Sequence, residues 1–97
     1  MISEETRSKL FDFAWEMLDR REDKQLIKAV EELNELQDEV LKYLDGRGDR
    51  DKLVEEFSDV VVILWQLKLR FDIVRPEIER QIDYKIERTR ERLGPLA

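Results

Sequence analysis

Two short acidic runs hold the residues of this chain best suited to chemistry, "EELNE" at Glu31–Glu35 and "EFSD" at Glu56–Asp59. In each, two acids stand three apart, Glu32 with Glu35 and Glu56 with Asp59, a spacing that sets both on one face of a helix. The second run opens a segment, "KLVEEFSDVVVILWQLKLRF", that is apolar nearly all the way round at about 100° per residue. Leu53, Val54, Phe57, Val60, Val61, Ile63, Leu64 and Leu67 leave it one narrow polar strip, the pattern of a mostly buried helix. An ionised carboxylate in a dehydrated place is costly unless it is paired or coordinates a cation, and neighbouring acids add repulsion.

Something positive is therefore expected beside these acids, and two candidates stand open. Lysines or arginines could neutralise them in ion pairs. Alternatively, if the two helices pack antiparallel, four carboxylates converge on one small volume and form a site for a hard cation. Oxygen ligands without nitrogen or sulfur suit Mg²⁺ or Mn²⁺, and Mg²⁺ commonly completes its shell with waters and substrate phosphates.

Composition removes most other chemistry. The 97 residues contain neither cysteine nor histidine, which excludes disulfides, thiolate or imidazole metal sites and every His-based triad. A net charge of −6 disfavours a duplex nucleic-acid interface, which needs a basic surface to displace counterions. "MISEETRSKL" lacks a basic, apolar leader and "VVVILW" is too short to span a bilayer, so a cytoplasmic protein with no membrane association is expected. "RGD" at Arg47–Asp49 is read as a turn and not as an adhesion motif.

Three glycines and two prolines fall at the ends of long uninterrupted segments, which favours helices. The spacing predicts a first helix from about Ser3 to Arg20, with Leu10, Phe11, Ala14, Met17 and Leu18 on one stripe, then a polar break at "DRREDK". A second, roughly Asp23 to Leu44, is expected to bury Leu26, Val30, Leu33, Leu36, Val40 and Leu44 and to stop at "DGRGD". A third, capped by Asp49 or Asp51, reaches about Phe71, and a fourth starts near Pro76 and ends before "GPLA". The expected fold is an all-α, four-helix antiparallel bundle forming a single domain over residues 1–97, small enough that copies would share a core.

In the last helix Lys85, Arg88 and Arg92 share a face beside Ile78, Ile82 and Ile86, an arrangement that a polyphosphate would relieve of its repulsion. A solvated basic edge is the plainer account. Lys42, two turns after Glu35, could reach a phosphate or pair with Asp38. Phe13 and Trp15 are suited to base stacking or to packing.

The two acidic runs, about twenty residues apart, resemble the paired E-E-x-x-E and E-x-x-D signature of the MazG-like all-α nucleoside triphosphate pyrophosphohydrolases. The resemblance extends to "LKYL" at Leu41–Leu44, to "DVVVILWQL" and to "YKIERTRERL". It implies Mg²⁺-dependent cleavage between the α and β phosphates of a nucleoside triphosphate, giving a monophosphate and pyrophosphate, in a homodimer or homotetramer. It also implies metal ligation by Glu32, Glu35, Glu56 and Asp59, with Glu31 near the attacking water and Lys42, Lys85, Arg88 and Arg92 on substrate. Thr89 stands where such proteins often carry asparagine, so base choice does not transfer. Two other classes compete: a non-enzymatic helical interaction module, and a catalytically silent nucleotide-binding regulator.

Overall fold

A computed structural model describes residues 2–95 of the chain and shows three helices. They are α1 (Glu4–Leu44), α2 (Arg50–Arg70) and α3 (Arg75–Leu93), with no strand among the described residues. Ser3 caps α1 by accepting a hydrogen bond from the Thr6 amide, and Asp49, one of the two expected caps, accepts from Asp51 and Lys52 to start α2. Between them α1 ends at Asp45–Gly46, where Gly46 takes φ +75°, the left-handed conformation that glycine adopts without penalty. A Cβ at Gly48 would run into the Tyr43 ring, so glycine is required there for a different reason, close packing. Arg75, one residue ahead of the expected Pro76, opens α3, and Glu77 reaches back to accept from the Val74 amide at 3.3 Å.

The expected break at "DRREDK" is absent as a break in helical structure, since α1 runs on through it. It survives as a change of direction. Gln25 of α1 donates to Gln66 of α2 at 2.6 Å, yet Arg7 and Phe11 share a cavity wall with Trp65, the neighbour of Gln66. A straight helix would carry Arg7 about 27 Å beyond the level of Gln25. The axis of α1 therefore bends between the two, and its N-terminal arm folds back over the end of α2. No proline or glycine lies in α1, so the bend has none of the usual backbone causes. The two expected helices are thus the two arms of one.

Partners along α1 and α2 run in opposite order: Asp23 with Arg70, Gln25 with Gln66, and Glu35 beside Glu56. Short linkage by Asp45–Asp49 makes that sense natural. The core of this pair is thin, with Leu10, Ala14, Ala29, Val60 and Ile63 as its buried apolar residues. The stripe expected to be buried on the C-terminal arm is only partly so: Leu26 and Leu36 are half-buried, Val30, Leu33, Val40 and Leu44 are exposed, and the neighbouring face with Gln25, Ala29, Glu32 and Glu39 is buried in their place. Helix α3 makes no close backbone contact with either of the others and buries no residue fully, but its first turns, with Arg75, Ile78 and Glu79, line a cavity together with Leu64, Trp65 and Lys68 of α2. No described helix is long and apolar enough to cross a membrane.

Candidate metal centre

The contact line between α1 and α2 is polar at its middle because the sequence puts acids where helix pairs ordinarily put leucine. Glu32, one turn after Ala29, and Glu56, one turn before Val60, point at the opposing helix and are 6% and 5% exposed. Glu35 and Asp59 stand one turn further along their helices, at the rim, the first exposed and the second half-buried. One carboxylate oxygen from each of these four residues lies within 4.8 Å of the others. The acid pairs expected from spacing do converge, and they do so across two helices.

Neutralisation by lysine is present but incomplete. Lys28 Nζ lies 2.8 Å from Glu32 and 3.9 Å from Glu31, and Lys52 Nζ lies 3.3 Å from Glu56 and 3.6 Å from Glu55. Each lysine sits four residues ahead of the acid it serves, the helical spacing for an ion pair. Hydrogen bonding to Glu32 and to Glu56, respectively, holds both ammonium groups above their ordinary pKa. The second oxygen of each buried acid, Oε2 of Glu32 and of Glu56, is buried with no hydrogen-bond partner. Two lysines thus face four clustered carboxylates, and each pairs with one oxygen of the cluster.

The strain of that cluster appears in its rim acids. Glu35 has its pKa raised, first because protonated Glu35 alone can donate a hydrogen bond to the Glu56 carboxylate, then by the charge of Glu32 and by burial, with Lys28 opposing. Asp59 is raised chiefly by burial and then by Glu32, Glu56 and Glu55. A proton is the smallest cation that relieves such repulsion. A divalent ion relieves it more fully and also satisfies the orphaned oxygens, so the donor set fits a hard cation. The four acids could hold a metal ion, and their carboxylate oxygens suit a hard cation.

A crevice of about 290 Å³ opens beside the cluster, lined by Glu35, Asp38, Glu39, Lys42, Lys52 and Glu56. Lys42 is in it, but pairs with Glu39 at 3.0 Å and not with Asp38, the partner expected from sequence. Glu31, exposed and beside Lys28, stands at the outer edge of the cluster. Lys85, Arg88 and Arg92 lie further along α3, whose backbone makes no close contact with α1 or α2, so within one chain they are not gathered at the acids. Trp15 and Phe13 are exposed on the N-terminal arm of α1.

Sequence reasoning missed Lys28 and Lys52, and it set Glu39 on the acidic face of its helix without expecting it to be buried. The two lysines had a legible signal, a basic residue four positions ahead of Glu32 and of Glu56. Glu39, buried at 4% exposure, had a weaker one, since it continues the contact line of Gln25, Ala29 and Glu32. No family model, curated protein or solved structure matches this chain.

Proposed function

We propose that this chain is a divalent-metal-dependent nucleoside triphosphate pyrophosphohydrolase, cutting the bond between the α and β phosphates. The observation that supports it best is the pair of orphaned buried oxygens on Glu32 and Glu56 inside a four-carboxylate cluster. An orphaned oxygen alone does not mark a site, since Gln25 Oε1 has no partner either, but on clustered carboxylates that two lysines only partly neutralise it favours a cation. Glu32, Glu35, Glu56 and Asp59 would hold the metal. Bound Mg²⁺ would neutralise phosphate charge and lower the pKa of a water in its shell.

In this reading water adds to the α-phosphorus and the bond from that phosphorus to the bridging oxygen breaks, leaving a nucleoside monophosphate and pyrophosphate. Glu31 sits at the solvent edge of the cluster, where a carboxylate can take the proton lost by the water. Lys28, Lys52 and Lys42 are the nearest ammonium groups and suit phosphate oxygens. Lys85, Arg88 and Arg92 would join them only where α3 reaches a site in another chain.

The test is a panel of ribo- and deoxynucleoside triphosphates with Mg²⁺, read for monophosphate and pyrophosphate. Both products are expected, with turnover lost in Glu56→Gln while far-ultraviolet circular dichroism stays helical. Release of orthophosphate alone would refute the bond assignment. A second reading is supported by the lysine pairs: a structural cluster in a helical interaction module, which would show neither turnover nor any thermal response to Mg²⁺.

A further inference from the structure

The start of α1, the last turns of α2 and the first turns of α3 line a cavity of about 690 Å³, within the range of roughly 300–1,000 Å³ typical of small-molecule sites. It shares no residue with the acidic cluster or with the crevice beside it. Leu64, Trp65 and Leu67 of α2, Ile73 of the connector and Ile78 of α3 make its walls apolar. Arg7, Lys68 and Arg75 bring three cations against one acid, Glu79, in a chain whose net charge is −6. Such a cavity is complementary to an apolar body with an anionic head.

The three cations are not equally free. Arg7 pairs with Glu4 at 3.2 Å and Arg75 with Glu79 at 2.7 Å. Lys68 has no ion-pair partner among the described residues; its Nζ stands 5.8 Å from the centre of the Trp65 ring, and both residues are half-buried. One uncommitted, partly dehydrated ammonium matches a single negative charge and not the several of a polyphosphate. A carboxylate is the plainest head of that kind. The aliphatic side chains that dominate the walls suit a flexible hydrocarbon chain behind it.

We propose that this cavity binds a medium-chain aliphatic carboxylate, its chain against Leu64, Leu67, Ile73 and Ile78 and its head on Lys68 Nζ. The chain takes from water apolar wall that the free protein leaves open, since Leu64 is 49% exposed and Ile73 38%. Because α3 makes no close backbone contact with α1 or α2, the occupant also supplies packing between α3 and α2 that the chain itself lacks. The site needs neither metal nor nucleotide, so it stands or falls apart from the proposed chemistry.

Trp65 forms part of the cavity wall and Trp15 is the one other tryptophan, so Trp15→Phe makes indole fluorescence a reporter of this site alone. Octanoate, octanol and octylammonium are titrated into that protein in the presence of chelator. A saturable change is expected, with octanoate binding on the order of fivefold more tightly than octanol and octylammonium more weakly than either. Lys68→Met should bring octanoate down to the level of octanol and leave octanol unchanged, while Arg80→Gln, an exposed cation of α3 outside the cavity, should keep the preference. Should circular dichroism show that Lys68→Met folds poorly, Lys68→Gln gives the same readout. A response that does not saturate, equal binding of the three compounds, or an anion preference that survives the loss of Lys68 overturns the proposal. Sedimentation equilibrium beside the titration tests the rival occupant: if octanoate enters only after dilution to the mass of one chain, a second copy fills the cavity and the proposal fails.

Discussion

Two layers of the same helix contact, seven residues apart on α1 and ten on α2, handle buried polarity in different ways. At one, Gln25 and Gln66 are neutral and joined by a hydrogen bond of 2.6 Å, at 6% and 3% exposure. At the other, Glu32 and Glu56 are equally buried, yet each keeps an unpartnered oxygen and faces the rim acids Glu35 and Asp59. The amide pair is neutral and specifies register, although Gln25 Oε1 is also left without a partner, whereas the clustered carboxylates carry charge that remains open to a cation. Neither burial nor an unsatisfied oxygen therefore separates a structural polar pair from a binding site; the balance of charge does.

Linkage gives the sharpest way to break that contrast. Millimolar Mg²⁺ should raise the melting temperature of the native protein, by about 2.7 kcal/mol of stability if the ion is at a hundred times its dissociation constant. Glu32→Gln or Asp59→Asn should abolish the rise. The double variant Gln25→Leu with Gln66→Leu should retain it, because that layer takes no part in holding a cation. Calorimetry showing an equal Mg²⁺ response in all of these proteins would dissolve the distinction.

The amide layer has its own signature in a double-mutant cycle. Gln66→Leu alone leaves Gln25 buried without its acceptor and should cost roughly 2 kcal/mol in urea unfolding. Replacing both with leucine should recover most of that loss, since a matched apolar pair of similar size removes the desolvation penalty with the hydrogen bond. Additive losses in the cycle would mean that the two residues do not act as a pair.

Much of this contrast was within reach of the sequence. Glycine and proline placement marked the turn between α1 and α2 and both ends of α3, and the three-residue spacing of Glu32 with Glu35 and of Glu56 with Asp59 identified the acid pairs, because both features are local. Less legible was which face of α1 meets α2. Val30, Leu33, Val40 and Leu44 form the stronger apolar stripe, but a stripe records only that something covers it, and in one chain nothing does. Continuity of α1 through "DRREDK" was hidden for a related reason. Arg, Glu, Lys and Gln are good helix formers, so a polar run ends an apolar stripe without ending the helix.

The smallest expected effect, and the most diagnostic of crowding at the carboxylate layer, is on pH. Glu35 and Asp59 have folded-state pKa values raised above their ordinary 4.5 and 3.8, so without metal the folded chain binds more protons than the unfolded one just above those values. Stability from these two groups is then fully present below pH 3.8 and is lost as pH rises through the raised values. Lys28 and Lys52 do not compete in this range, since hydrogen bonds raise both above 10.5 and their contribution is lost only in alkali. Comparing native protein with Glu35→Gln in chelator isolates the effect, because other carboxylates titrate alike in both. The native melting temperature should fall relative to that of Glu35→Gln as pH rises from 4.5 toward neutrality, and saturating Mg²⁺ should erase the difference in slope. A native protein whose pH profile parallels that of Glu35→Gln with and without the ion would show that the carboxylates are not crowded and need no cation.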